Sequence, residues 1–230
     1  MSENERVTFR QRLNYHSVLL GGMALLATAI LATAHFYTKD EIVARLEDDT
    51  KASLSQVVPA ELYDNDLLKD TLLLAPPNTP ATEKKLIYRA RKKGEIVAVA
   101  YQMMGQGFSG PIQLIMGVDR KGTVLGVRIV SHAETPGLGD KIEAKKSNWI
   151  LSFTGHSLDN PGEDRWKVKK DGGIFDQFSG ATITPRAVVK IVELGLELFN
   201  ANRTELLGLG IDSDDKKDTM NSEGGNTHGK

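Results

Sequence analysis

The stretch Asp176-Gln177-Phe178-Ser179-Gly180-Ala181-Thr182-Ile183-Thr184-Pro185 is a hydroxyl-rich loop that runs straight into the last strongly apolar segment of the chain. Gly180 and Ala181 are the two smallest residues, so the Thr182 hydroxyl has almost no side-chain bulk beside it. Gly180 can also take a positive φ that exposes it. Thr184 suits an N-cap and Pro185 a first helical position, which predicts a helix starting beside Thr182. The unpaired N–H groups and positive dipole end of that helix favour a phosphate next to the hydroxyl. The same letters also make an ordinary loop and cap, and physical chemistry alone leaves both readings open.

Working outward, Pro185 to Asn200 continues as the last long helix, and the segments before the loop change period. Leu86 to Ala90 and Glu95 to Met103 alternate as strands around Lys92-Lys93-Gly94, and Ile112 to Val118 and Thr123 to Val130 do so around Asp119-Arg120-Lys121-Gly122. Two hairpins of this kind predict an antiparallel sheet. Gly139 to Phe153, with Ile142, Trp149, Ile150 and Phe153, reads as a helix, and Trp166-Lys167-Val168 as a short strand. The expected fold is α+β, with helices packed on a mainly antiparallel sheet.

The N-terminal part has a different character. After Arg6, Arg10 and Arg12, no Lys, Arg, Asp or Glu occurs from Leu13 to Thr38. About 20 apolar residues suffice to cross a bilayer, so residues 15–37 read as a single transmembrane helix. Its small residues, Gly21, Gly22, Ala24, Ala27, Ala29, Ala32 and Ala34, would let a neighbouring helix approach closely. Ala32-Thr33-Ala34 also has the form of a signal-peptide cleavage site, but the run exceeds the usual core of about 7–15 residues. Either reading sends the following domain outward. Basic residues on the two sides nearly balance, so charge alone leaves orientation open. Residues 38–80 then read as a membrane-proximal helical segment, closed by Pro59, with a second short helix over Asp64 to Leu74 and a Pro-rich linker. Residues 81–208 form the main domain, and 209–230, polar with Met220 as the larger apolar side chain, are expected to be disordered.

Composition narrows the chemistry. The chain has 230 residues, 40% hydrophobic and 26% charged, with a net charge of −1, which suggests no nucleic-acid partner. It has no cysteine, which excludes disulfides, thiolate nucleophiles and iron–sulfur ligation in this chain. No His spacing supports a metal and no triad supports hydrolysis. Gly105-Gln106-Gly107-Phe108-Ser109-Gly110 matches the letters of a dinucleotide fingerprint, but Pro111 leads into a strand where that motif needs a helix. A tight loop, or close backbone approach to a ligand edge, explains these glycines better.

Asp176-x-x-Ser-Gly-Ala-Thr182 resembles the flavinylation motif of the G subunit of the Rnf (Rsx) electron transport complex and of its sister, the C subunit of the sodium-pumping NADH:quinone oxidoreductase. Ser131-His132-Ala133-Glu134-Thr135-Pro136-Gly137-Leu138-Gly139 is similar to that family's H-x-E-T-P-G-L-G motif. The resemblance covers about residues 10 to 205 and extends to the N-terminal anchor. It implies FMN carried covalently through a phosphoester to Thr182, with Ser179, Gly180 and Ala181 completing the recognition loop and Asp176 as its acidic residue. It implies Glu134, Thr135, Gly137 and Leu138 as candidate flavin contacts, beside Thr184 at the helix start. Taken alone, His132 would be an ordinary surface or core histidine and Glu134 a surface charge.

The resemblance further implies an electron-relaying subunit in the bacterial inner membrane. Its FMN domain would face the periplasm, its neighbours would be other membrane subunits of the complex, and a flavin transferase would attach the cofactor. The short domain and the Phe-Ser-Gly-Ala-Thr loop favour the Rnf type over the quinone-reductase C subunit. A membrane-tethered binding or sensor domain, with Thr182 unmodified, is the rival from another class.

Overall fold

The computed structural model describes residues 3–75 and 84–209, in two compact units, 1–49 and 50–230. Most of the proposed linker and nearly all of the C-terminal tail lie outside the described residues. The long helix α1, Glu3–Val57, begins in the first unit, where Tyr15–Thr38 has a mean hydropathy of 2.0 and exposes its apolar side chains. By length and composition this segment can cross a membrane. The helix ends just before Pro59, whose ring cannot continue it.

The second unit is built on a five-stranded antiparallel sheet with its strands in chain order: β1 Thr71–Leu74, β2 Lys85–Lys92, β3 Glu95–Gln106, β4 Pro111–Asp119 and β5 Val124–Ser131. Both expected hairpins are present. Lys93 and Gly94 both have positive φ, which matches the strand twist in a tight connection. One sheet face carries Ile87, Val99, Tyr101, Leu114, Met116 and Val127, and it packs on helix α2, Ile183–Ala201. The Tyr101 hydroxyl donates to the Gly195 carbonyl at 2.7 Å and fixes that crossing. The other face buries Ala98, Ala100 and Ile115 beneath Leu54, Val57 and Val58, at the end of α1. Gly117 makes this possible, because a Cβ there would lie 2.3 Å from the Val57 carbonyl oxygen.

Three expected elements differ. Asp64 to Leu74 is not a helix: Asp66 closes a turn by accepting from Leu68 N–H at 3.2 Å, and Thr71–Leu74 then pairs with β2. A short apolar run carries no period that separates helix from strand, and the neighbouring strand decides it. Gly139 to Phe153 is two 3₁₀ turns, Asp140–Ile142 and Asn148–Phe153. Ser147 is extended and its hydroxyl accepts from Trp149 N–H, which breaks an α-helix there. Trp166 to Val168 supplies only one bridge, Val168 to Phe175, beside an aromatic cluster of Phe153, Trp166 and Phe175.

Candidate functional site

Residues Phe178 to Ala181 form a tight turn in which Ala181 N–H donates to the Phe178 carbonyl at 3.2 Å. Gly180, third in the turn, has φ +80, the position and sign that a type II turn requires. Phe178 is buried edge-on against Trp149, whose indole N–H donates to the Asp176 carbonyl at 2.8 Å. The turn is therefore gripped from the core side while Ser179 and Gly180 face outward. Asp176 is exposed and paired with Lys169 at 2.6 Å.

Helix α2 starts two residues earlier than the sequence suggests. Thr182 is its N-cap, with helical backbone angles and a hydroxyl that makes no capping hydrogen bond. Thr184, expected as the cap, lies inside the first turn and is 1% exposed. Its hydroxyl donates to Glu134 Oε2. The competing partner is a carboxylate from a distant loop, which outranks a local cap because a charged acceptor makes the stronger bond.

Glu134 is the hub. It is 4% exposed, and its Oε1 accepts from Phe108 N–H at 2.9 Å and Ser109 N–H at 3.0 Å. One carboxylate thus joins three segments: the 107–110 hairpin loop, the 131–139 loop and the start of α2. There is little spare room around it, because a Cβ on Gly107 would lie 2.4 Å from Glu134 Oε1 and one on Gly139 2.9 Å from Glu134 Cβ. His132 supports the hub from behind. Its Nδ1 accepts from Glu134 N–H at 3.1 Å, and its Nε2 meets Glu143 Oε1 at 3.0 Å. Asp140 closes the loop. A hydrogen bond from Gly137 N–H, opposed by burial and aided by Lys146, holds its carboxyl below the usual range.

These segments enclose an open cleft of about 130 Å³ lined by Phe108, by Glu134, Thr135, Leu138 and Gly139, and by residues 180–184. Seven of the nine anticipated site residues contribute to it or to its walls: Gly180, Ala181, Thr182, Thr184, Glu134, Thr135 and Leu138. Ser179 and Gly137 are exposed in neighbouring turns and do not line it. Phe108 and Ile183 line the cleft without having been singled out in the sequence. The signal for Phe108 was one aromatic residue stranded in a Gly/Ser loop, where no core can use it. Among the described residues no cluster of His, Asp and Glu could hold a metal.

Comparison with known proteins gives a consistent picture. Residues 107–197, which span the cleft, match a family profile described as FMN-binding domain. The G subunit of the ion-translocating oxidoreductase complex of Cereibacter sphaeroides is 49% identical over 190 residues, 83% of this chain and 85% of that protein. The protein of the same name from Haemophilus influenzae is 50% identical over 175 residues, 76% of this chain and 84% of that one. A crystal structure of NqrC from Shewanella oneidensis matches with a TM-score of 0.45 at 23% identity, over 65% of this chain and 77% of that one.

Proposed function

This chain belongs to the family of G subunits of the ion-translocating oxidoreductase complex, and on that premise we propose that its FMN is joined to the Thr182 hydroxyl by a phosphoester. It is an FMN-carrying electron-transport subunit of an ion-translocating oxidoreductase complex, anchored in the membrane by the Tyr15–Thr38 helix. The observation that carries the attachment is the place of Thr182. Its hydroxyl is free of a capping bond, it stands at the N-terminus of α2, and it lines the same cleft as the 134–139 loop.

The residues present fit such a group. N–H groups in the first turn of α2 and the positive dipole end favour a phosphate at Thr182. The Glu134 carboxylate shares the cleft, but three donors already engage it, so its charge is held inward. When bound, FMN supplies electron-carrying chemistry that the side chains of this cysteine-free chain do not. The protein's part is to fix the phosphate, orient the ring and leave it reachable. A cleft of about 130 Å³ is well below the roughly 300–1,000 Å³ that encloses a drug-sized ligand, so it supports a ring without enclosing it.

Attachment makes the Thr182 Oγ the bridging ester oxygen. A base of a separate flavin transferase takes the hydroxyl proton, Oγ bonds to the phosphorus of the FMN half of a flavin dinucleotide donor, and the donor's phosphoanhydride P–O bond breaks so that the other half leaves as a nucleoside monophosphate. The exposed residues Asp176, Gln177, Ser179 and Gly180 form the surface that such a transferase would grasp. The domain would face the periplasm beside other membrane subunits. Relatives that carry the G-subunit name favour this reading over a quinone-reductase C subunit, and an unmodified sensor domain would leave the cleft's phosphate end unused.

The test is denaturing-gel flavin fluorescence of protein made with a transferase. Wild type should stay fluorescent, Thr182→Ala should not, and Thr182→Ser should keep some signal because it keeps a hydroxyl. Fluorescent Thr182→Ala protein would refute the assignment. The exposed Ser179 would then be next, since Thr184 is buried. Protein made without a transferase should be flavin-free.

A further inference from the structure

We propose that Phe108 is the ring-contacting residue of this subunit: the aromatic wall of the cleft that Leu138 and Ile183 also line, against which the flavin ring rests. The inference builds on FMN at Thr182 and adds what holds the other end of the cofactor. Attachment through the phosphate tethers a ring without orienting it. Some second surface must do that.

Three large apolar side chains from three separate segments stand exposed around the cleft that Thr182 lines: Phe108 at 65%, Leu138 at 42% and Ile183 at 48%. Leu138 leans over the attachment turn, since a Cβ on Gly180 would be 3.5 Å from its Cδ2. Scattered single exposed apolar residues need no explanation, but several converging on one concavity mark a binding surface. Among the described residues of the second unit, Phe108 is the exposed aromatic ring. An aromatic ring is the side chain best matched to a flat ring system, through offset or edge contacts beyond simple burial.

The second line of argument is rigidity. Phe108 sits in a tight hairpin loop, with Gly107 N–H donating to the Gly110 carbonyl at 2.8 Å. Its own N–H and that of Ser109 are held by Glu134, which on its other oxygen holds Thr184 at the start of α2. The residue that would meet the ring is thus tied, through a single buried carboxylate, to Thr184, two residues beyond the one that would carry the phosphate. The loop is ordered before any ligand arrives, so little ordering entropy remains to oppose contact. A loop held in this way, presenting an aromatic ring beside an apolar cleft, is pre-organised for a ligand.

The test uses full-length protein loaded in cells and purified in detergent, with intact mass confirming FMN on each variant. An indole in van der Waals contact quenches flavin fluorescence by electron transfer. Phe108→Trp should therefore lower the bound flavin's fluorescence severalfold relative to wild type, and shorten its lifetime. Leu194→Trp places an indole at an exposed position about three turns further along α2 and should leave the signal as in wild type. Phe108→Ala should keep the FMN mass while flavin fluorescence anisotropy falls, because the ring loses its wall. If FMN is attached and Phe108→Trp quenches no more than Leu194→Trp, the inference is wrong while the attachment stands, and Phe108 faces a partner chain instead. Unchanged anisotropy in Phe108→Ala would also overturn it. Wild type without FMN mass overturns the attachment reading, and with it this one.

Discussion

Replacing Glu134 tests whether one carboxylate holds the site together. Its oxygens accept from two backbone N–H groups and one buried hydroxyl. Hydrogen bonds to a charged acceptor are worth roughly 1.5–3 kcal/mol each, against about 0.5–1.5 kcal/mol between neutral groups. Glu134→Gln keeps the shape and an acceptor for Phe108 and Ser109, and the Thr184 hydroxyl can turn to accept from the new amide. We expect it to cost about 1–2 kcal/mol. Glu134→Ala removes all three bonds. Phe108 and Ser109 are exposed, so water can serve their N–H groups, but Thr184 is 1% exposed and its hydroxyl is left unpaired. An orphaned buried polar group costs roughly 1–3 kcal/mol, so together with the lost bonds we expect about 3–5 kcal/mol. Trp149 and Trp166 both lie in the core of the second unit, and their fluorescence reports its unfolding in urea. With a urea dependence of about 2 kcal/mol per M, the midpoint should fall by roughly 0.5–1 M in Glu134→Gln and 1.5–2.5 M in Glu134→Ala. Equal shifts in the two variants, or a cost under about 1 kcal/mol for Glu134→Ala, would show that Glu134 does not pin these segments.

Two further outcomes follow from the same structure. The Asp140 carboxyl is held below its ordinary value of 3.8 by Gly137 N–H, against burial and with help from Lys146. Its stabilising contribution is therefore complete above that value and is lost as pH falls through the lower folded one. Acid-limb urea midpoints should decline less steeply in Asp140→Asn than in wild type, and superimposable acid limbs would refute this. If Tyr15–Thr38 is an uncleaved anchor with the domain outside, intact mass should include residue 1 or 2 and protease added outside the inner membrane should digest the domain. A mature N-terminus at His35 would instead establish a cleaved leader.

The sheet was legible because its signals are local. Alternation in β2 to β5 and the turns at Lys92-Lys93-Gly94 and Asp119 to Gly122 need no distant partner to form. The turn from Phe178 to Ala181 was legible for the same reason, since Gly180 supplies the positive φ that its geometry requires. What escaped reading depends on residues far apart in the chain. The apolar spacing from Ile142 to Phe153 imitates a helix, yet Ser147 and the Trp149 bond to Asp176 bend it into 3₁₀ turns. Thr184 has the letter of a cap, and its hydroxyl is claimed by a carboxylate 50 residues earlier. Glu134 reads as a surface charge until the 107–110 loop, 26 residues before it, folds over.

That division has a functional consequence. The turn carrying Thr182 is closed by its own hydrogen bond and by Phe178 and Trp149 in the core, none of which involves Glu134. The loop tip carrying Phe108 is hydrogen-bonded to the start of α2 by way of Glu134 and Thr184. A lesion at Glu134 should therefore leave the threonine able to take a flavin while releasing the surface that orients it. Attachment and orientation are then separable properties of one site. On the proposed attachment, the turn at 178–182 would carry the bond, and the contacts through Glu134 would decide how the ring is displayed. A Glu134→Ala protein that carries FMN by mass but shows freer flavin fluorescence anisotropy than wild type would establish that separation, and one that loses FMN altogether would refute it.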